Sequence, residues 1–514
     1  MLSNPPATPL PTDSQDGRGP FLGLSLLIPW LVGAACLFAP LIYWFGAYDP
    51  RGWEDEVMSW HDDFITTVVI LLCAGLFLLP LIWVIRRRVI DLIALALGQQ
   101  ALIFAGYFYL DQTAARFPDN AQGILAISGL VVLFNAVGFL CLFLALSGIY
   151  ALTKYRHYQL RPLEFPAELL DQRLLTLARV LSLFCIIFIA TPMVASHTIP
   201  LFSDNNAVSR MELSSDGALR PLLQAGGALL PFVAAILAVS IVRRPTRFFG
   251  GDTILFLLLT GTQLLTSNRL ALAIAAGTIL CGVTMHLRFP RLVLALVFTA
   301  YLSFFTLASG FTSLLRLDPG SLQNGDWVGK SVQEAYLGDN IIDLRDGSWV
   351  FSKWDFEPLM GMTYLGGVTS MVPSAILPEK KQWHLGLTGV RIVGMPDEEH
   401  FGLRITFFGE AFLNFGWAGV IALGTLLGAV YAVILRQVHL ATEPGTPSCL
   451  YRNISLLILL QCLPPLSNTS DASLFWAMLA MLLLMHLTVV APLRRRLSSV
   501  SLDSHAHEPA PSRV

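Results

Sequence analysis

The sequence predicts an all-α polytopic membrane protein with about twelve transmembrane helices. The chain has 514 residues, of which 54% are hydrophobic and only 13% are charged, whereas about 25% of the residues in an ordinary soluble domain are charged. Apolar runs of about 18 to 25 residues recur from Phe21 to Val490, and each is long enough to cross a hydrocarbon core about 30 Å thick. The composition therefore excludes a water-soluble enzyme.

The charge balance and the cysteines exclude further classes. The formal net charge is -2 and no long basic run occurs, so the chain lacks the electrostatic footprint of a nucleic-acid-binding protein. The 7 cysteines show no CxxC or CxxxH spacing, which predicts neither a disulfide framework nor a zinc site.

The apolar runs give the order of the helices. Residues 1–20 are rich in Pro and Ser and are expected to form a disordered cytoplasmic tail. The next run is too long for a signal-peptide core and lacks a small-residue cleavage site, so we interpret it as a retained helix. Nine helices are predicted for the region 21–311, at 21–44, 64–85, 89–110, 123–150, 174–195, 219–242, 252–267, 270–287 and 292–312. Three more are predicted within 405–493, at 405–435, 453–466 and 474–493, before a cytoplasmic tail at 494–514.

Basic residues cluster at alternate ends of these helices. With the N-terminus in the cytoplasm, the inner loops receive clusters at 86–88, 154–173, 243–247, 288–291 and 494–496, whereas the short outer loops hold isolated arginines. The positive-inside rule therefore favours a cytoplasmic position for both termini.

One long segment, 312–404, interrupts the apolar runs and falls on the outer side. It contains Gly, Pro, Trp and charges of both signs. Loops longer than about 15 residues are usually functional, so we expect a partly helical extracytoplasmic subdomain with the chemistry of the protein beside it.

Glu410 and Asn414 lie four residues apart on one face of an otherwise apolar helix. A carboxylate within a membrane segment is costly unless it faces a polar cavity or a partner, and it indicates a functional site. The alternative is an ion pair or hydrogen bond between packed helices, with Gly409, Gly416 and Gly419 admitting a close neighbour.

Arg210, Arg269 and Arg404 are placed at or just below the outer surface. Converging guanidinium groups favour a diphosphate or another anion, although any one of them could instead snorkel to lipid headgroups. Arg269 stands out because it occupies the tight turn between the predicted helices 252–267 and 270–287.

Two residues of the large loop are further candidates. Lys380 either lies on a solvated face or helps to gather an anionic headgroup. His400 follows Glu398 and Glu399, and an adjacent carboxylate can orient a histidine as a general base. The alternative is an exposed loop histidine.

Three outer patches resemble those of the O-antigen and oligosaccharide repeat-unit polymerase family of bacterial inner membranes. They are IPLFSDNNAVSR at 199–210, SNRLALAI at 267–274 and FGEAFLNFGWAG at 408–419. The family tends to show a Ser-Arg turn before a helix in the second patch, and a Gly-Glu and an Asn-(Phe/Tyr)-Gly pair in the third. The layout is similar too, with one large periplasmic loop before the last few helices. The chain departs from the family at Asn268 and Leu270, where Ser or Gly and then Gly are frequent.

The resemblance implies a GT-C-like glycosyltransferase of the inner membrane. Its substrate would be an undecaprenyl-diphosphate-linked oligosaccharide, polymerised at the periplasmic face into O-antigen or exopolysaccharide. No metal and no cofactor are implied, and a chain-length regulator and a flippase are possible partners beside membrane lipid. His400 or Glu410 would take the proton from the attacking hydroxyl. Negative charge develops on the diphosphate as it leaves, and cationic or polar donors stabilise it. The residues implied to bind the diphosphate are Arg210, Arg269, Arg404, Asn414 and Lys380.

Other functions remain open. An O-antigen ligase or another lipid-linked-sugar transferase would share the topology and the diphosphate site. A transporter or flippase would account for the spans without catalysis, but it favours charges along a path through the membrane, whereas the charges here cluster at the outer rim.

Overall fold

The structure is a computed structural model, and it describes most of the chain between residues 75 and 495. The described residues are 75–76, 78–85, 90, 94–95, 97–98, 101, 103–104, 118–155, 165–197, 199–200, 220–243, 250–265, 276–277, 279–284, 289–317, 327, 330–331, 344–370, 372, 376–395, 403, 405–442, 449–461 and 472–495. The chain divides into two compact units, Met1–Leu76 and Phe77–Val514. Everything below concerns the second unit.

The described residues are mostly helical and contain no strand, which confirms the predicted all-α class. The longer helices, in chain order, are α1 (Ala121–Tyr155), α2 (Ala167–Ala195), α3 (Arg220–Arg243), α4 (Gly251–Leu265), α5 (Arg291–Leu317), α6 (Leu344–Lys353), α7 (Met362–Thr369), α8 (Leu385–Ile392), α9 (Gly409–Thr442), α10 (Leu450–Gln461) and α11 (Ala472–Met485). A π-helical stretch at His486–Val490 prolongs α11, and 3-10 helices occur at Pro118–Asn120 and Pro378–Trp383.

The predicted helices agree with the described ones best where the chain is most apolar. Helices α1, α3, α4 and α5 match the predictions at 123–150, 219–242, 252–267 and 292–312 to within a few residues. Helix α2 begins at Ala167 rather than 174, because its first turns carry charged residues that ended the apolar run. The helix predicted at 21–44 lies outside the described residues, and those at 64–85, 89–110 and 270–287 are described in part.

Five described helical stretches are long and apolar enough to cross a membrane. They are Ala121–Leu152, Ala167–Ala195, Ala225–Val242, Gly409–Ala441 and Met478–Arg495. Helix α2 is apolar on both sides, since Leu174 and Cys185 are buried inside the protein whereas Phe184 and Ile187 are exposed. An apolar surface of this kind suits contact with lipid. These helices indicate a membrane-embedded protein.

Helices α1 and α9 pack closely through glycines on α9. A Cβ atom at Gly424 would overlap the carbonyl oxygen of Gly138, and one at Gly428 would overlap that of Leu142. The two glycines are four residues apart, the spacing that lets membrane helices approach backbone to backbone. The sequence suggested a close helix contact at the glycines of 409–419. The structure makes the close contact with α1 farther along α9, at Gly424 and Gly428.

The segment 312–404 contains helices α6, α7 and α8 and is partly built into the helix assembly. Every residue of α6 from Leu344 to Phe351 is buried. The Arg345 guanidinium donates to Oδ1 of Asp346 at 3.0 and 3.2 Å, so two charged side chains are buried as a pair. A Cβ atom at Gly366 in α7 would overlap the carbonyl of Trp383, which shows how closely α7 lies against the Pro378–Trp383 turn.

Candidate functional site: a buried carboxylate at a broken helix

Helix α9 is interrupted at Gly416. Its backbone angles there are φ 59° and ψ -148°, a conformation that residues with a Cβ atom adopt only under strain. The break folds the second part of the helix against the first, so that a Cβ atom at Gly419 would stand 2.5 Å from the carbonyl oxygen of Ala411. Residues 409–415 thus form a short helix set off from the long one that follows.

A loop segment satisfies the backbone that the break leaves open. We call residues 354–361 the strap. The Leu359 N–H donates to the Leu413 carbonyl at 3.1 Å, and the Met360 N–H donates to the Asn414 carbonyl at 3.1 Å. Carbonyl groups at a helix end lack partners within the helix, so the strap replaces the bonds that an unbroken helix would make.

Glu410 has no exposed surface. Its Oε1 atom accepts a hydrogen bond of 2.6 Å from the Thr363 hydroxyl. Asn414 Nδ2 donates to Thr363 Oγ1 at 2.7 Å and to the Glu410 backbone carbonyl at 2.8 Å. Glu410, Asn414 and Thr363 are each 0% exposed. We call these three side chains, with the Gly361 N–H, the polar relay.

The direction of the polar relay is fixed by its first donor. The Gly361 N–H can only donate, and it does so to Asn414 Oδ1 at 2.9 Å. The amide NH₂ group of Asn414 therefore faces Thr363, whose oxygen accepts and whose own hydrogen is left to donate onward. Each bond runs toward Glu410, which presents the Oε1 atom as an acceptor. The polar relay therefore holds Glu410 Oε1 in place as a hydrogen-bond acceptor.

Tyr364 lies close enough to Glu410 to feel its charge. Its ring stacks on Phe415 with centroids 6.1 Å apart and an interplanar angle of 12°. Burial, and then the charge of Glu410, raise the pKa of the Tyr364 hydroxyl well above its usual range. Tyr364 therefore stays protonated at neutral pH.

A second amide holds the beginning of α9. Asn135 is buried in α1, and its Nδ2 atom donates to Thr406 Oγ1 at 2.8 Å and to the Val131 carbonyl at 2.7 Å. The Phe408 N–H donates to Asn135 Oδ1 at 3.3 Å. Asn135 thus ties the turn before Glu410 to the longest described helix.

An aromatic cluster packs around Phe412 of the short helix 409–415. Phe412 stacks on Phe134 of α1 with ring centroids 4.8 Å apart. The Phe351 ring packs edge-on against both, with its centroid 5.8 Å from that of Phe412 and 5.1 Å from that of Phe134. The Trp354 ring joins Phe351 at 5.6 Å, and its Nε1 donates to the Glu357 carbonyl at 3.1 Å. The first residue of the strap, Trp354, therefore packs into this aromatic cluster.

The strap itself is strained and exposed. Phe356 and Met360 adopt positive φ values of 62° and 51°, which is uncommon for residues with bulky side chains. They are 39% and 75% exposed. Strained backbone of this kind is held in place by its surroundings and concentrates at binding and switch regions.

The structure places some of the predicted site residues together. Glu410 and Asn414 share one face as predicted and are joined through Thr363. Lys380 is set apart from them, and its Nζ atom donates to the backbone carbonyls of Ser370, at 2.9 Å, and Val372. The other predicted site residues lie outside the described part of the chain: Arg210, Arg269, His400 and Arg404.

Sequence reasoning missed Thr363 and Asn135. Thr363 lies in an unremarkable stretch of the large loop and reaches Glu410 only through the fold. Asn135 left a signal, because it is a lone amide in the apolar run of α1, and such amides often bond between membrane helices. Across the ranges that the structure describes, no group of three or more His, Cys, Asp or Glu side chains could hold a metal ion.

In comparisons with known proteins, no family model, no curated protein and no solved structure matches the chain significantly.

Proposed function

We propose that the chain is a membrane glycosyltransferase that polymerises undecaprenyl-diphosphate-linked oligosaccharide repeat units at the periplasmic face of the bacterial inner membrane. The observation that carries the proposal is Glu410, a carboxylate with no exposed surface, oriented by the polar relay at the break of an apolar helix. Ionisable groups in membrane helices are rare and are kept for function. The resemblance of 199–210, 267–274 and 408–419 to repeat-unit polymerases supplies the reaction class.

The proposed reaction is a glycosyl transfer. The hydroxyl at the non-reducing end of one lipid-linked unit attacks the anomeric carbon of the growing glycan, and the bond from that carbon to the diphosphate oxygen breaks. The hydroxyl proton passes to Glu410 or His400, and the negative charge leaves on the lipid diphosphate. Arg210, Arg269 and Arg404 are the proposed diphosphate-binding residues, because paired guanidinium donors match phosphate oxygens.

Access to Glu410 in this proposal requires a local opening of the fold. Glu410 is fully covered and its Oε1 atom is bound by Thr363 of α7, so substrate contact requires α7 to move, together with the strap that leads into it. Opening would break the backbone bonds from Leu359 and Met360 to α9 and relieve the positive φ values of Phe356 and Met360. The strain therefore lowers the cost of the open state relative to a relaxed loop.

A deletion strain tests the proposed function. Lipid-linked and surface glycans would be separated by size. A polymerase predicts single repeat units on the carrier or on the surface, with long chains missing, and restoration by the wild-type gene but not by Arg269→Ala at equal protein level. Full-length chains stranded on the carrier would instead establish a ligase, and an unchanged profile would overturn the glycosyltransferase proposal.

A transporter or flippase is the second candidate, and one observation favours it. Discontinuous helices with polar groups at the break are typical of binding sites in secondary transporters, and α9 has this form at Gly416. Purified protein in vesicles discriminates between the two: movement of lipid-linked glycan or an ion across the bilayer without elongation would favour transport.

A further inference from the structure

The large loop contains an uncharged stretch that includes Gly361 and Thr363 of the polar relay. Every residue from Pro358 to Pro378 is uncharged, and charged residues resume immediately on both sides, with Asp355 and Glu357 before it and Glu379 and Lys380 after it. Asp355, Glu357 and Glu379 are exposed. The stretch is too polar in its turns to span a membrane and too apolar for an ordinary aqueous loop.

Within this stretch, α7 has a buried side and an exposed apolar side. Thr363, Gly366 and Gly367 are buried. The exposed large side chains, with their exposed fractions, are Met360 75%, Met362 43%, Leu365 44%, Val368 63% and Ile376 72%. Positions 362, 365 and 368 recur at a spacing of three, so they share one side of the helix.

The uncharged stretch is attached directly to α9, a helix long and apolar enough to cross a membrane. The strap bonds to the Leu413 and Asn414 carbonyls of α9, and Phe415, 47% exposed, stacks on Tyr364 of α7. Farther along α9, Ile421 and Leu426 are 47% and 61% exposed. These side chains lie in a helix long and apolar enough to cross a membrane, and an exposed apolar surface on such a helix suits contact with lipid.

The break in α9 places α7 at the end of the membrane span. At about 1.5 Å per residue, the helix from Trp417 to Thr442 is about 39 Å long and crosses a core of about 30 Å without the residues before the break. The short helix 409–415 and α7 are therefore not needed to span the bilayer, and a position at its boundary fits this length. With its 8 residues, α7 is about 12 Å long and cannot span.

We propose that α7 and the adjoining residues form a membrane-interface element, in which Met360, Met362, Leu365, Val368 and Ile376 insert among the lipids of the adjacent leaflet. The partner is bilayer lipid, because the exposed side is apolar, is attached to a helix long and apolar enough to cross a membrane, and is bounded in sequence by exposed charged residues. Helices with one apolar side lie in this way at the headgroup and acyl boundary. The proposal does not depend on the glycosyltransferase assignment.

Spin labels on single introduced cysteines test the proposal with the full chain in phospholipid nanodiscs. The probe positions are Leu365→Cys and Val368→Cys, and the matched aqueous control is Asp355→Cys. Wild-type protein carried through the same labelling gives the background from the native cysteines. Each nitroxide is relaxed by oxygen, which concentrates in lipid, and by a water-soluble nickel chelate.

The expected result is that oxygen relaxes the labels at 365 and 368 more strongly than the chelate does, with the opposite order at 355. Chelate access at 368 equal to that at 355 would overturn the proposal and show an aqueous surface. Immobile labels reached by neither relaxant would also overturn it, because they would show that a second copy or another protein covers α7. Because the probe positions are exposed, the variants are expected to fold, and size-exclusion elution equal to that of the wild type verifies it.

Discussion

The Thr363 hydroxyl is predicted to stabilise the protein through its bond to Glu410. Thr363→Val keeps the shape of the side chain and removes the donor. A hydrogen bond to a charged group contributes about 1.5–3 kcal/mol, and this bond is 2.6 Å long between two residues with no exposed surface. The change also leaves the Asn414 amide without its Thr363 acceptor, so the total loss exceeds that of the bond to Glu410 alone.

A double-mutant cycle isolates the bond to Glu410. Thr363→Val, Glu410→Met and the double variant are unfolded by detergent titration in mixed micelles, and the free energies of unfolding are compared. The expected coupling is about 1.5–3 kcal/mol, since each single variant loses the same bond. Thr363→Ser, which keeps the hydroxyl, should recover most of the loss. Effects that add within about 0.5 kcal/mol would refute the polar relay as described.

Three further predictions concern the helices and the loop. Gly416→Ala should cost about 1–3 kcal/mol of unfolding free energy through its positive φ alone, because nothing lies within 4 Å of the added Cβ atom. In contrast, Gly148→Ala in α1, equally open but helical, should stabilise by about 0.5–1 kcal/mol; equal effects at the two positions would contradict the break. Gly428→Leu should separate α1 from α9 and abolish folded protein in size-exclusion chromatography, whereas Thr425→Leu on the exposed side should elute normally. Burial lowers the pKa of His384, so its contribution to stability is present above the unfolded value of about 6.5 and is lost as the pH falls below it; His384→Phe should show a smaller drop in melting temperature from pH 7.5 to pH 5 than the wild type.

The sequence was sufficient for the all-helical class, for the bounds of several described helices, and for the pairing of Glu410 with Asn414 in the candidate site. Apolar runs predict membrane helices because the bilayer requires a fixed length of apolar chain, and α1, α3, α4 and α5 follow that requirement closely. Glu410 and Asn414 could be paired in advance because a helix places residues four apart on one face. Charged residues near a helix end do not extend the apolar run, so the predicted beginning of α2 falls later than the observed one.

The rest of the site depends on contacts between distant parts of the chain. Thr363 reaches Glu410 across 47 residues of sequence, and no local pattern links the two. The break at Gly416 was equally hidden, because a glycine in an apolar helix is compatible with either a close neighbour or a change of backbone direction. The hydrogen bonds from the strap N–H groups to the carbonyls of Leu413 and Asn414 distinguish the two, because they replace helix bonds that are lost where the backbone changes direction.

The most direct test of the account is complementation of the deletion strain with Glu410→Gln, read as the size profile of lipid-linked and surface glycans at verified protein level. The side chain keeps its size and its acceptor for Thr363 but cannot take a proton or balance a cation. The account predicts single repeat units and no long chains, as in the deletion strain itself. Long chains at the wild-type level would contradict it and would leave the buried carboxylate with a structural role alone.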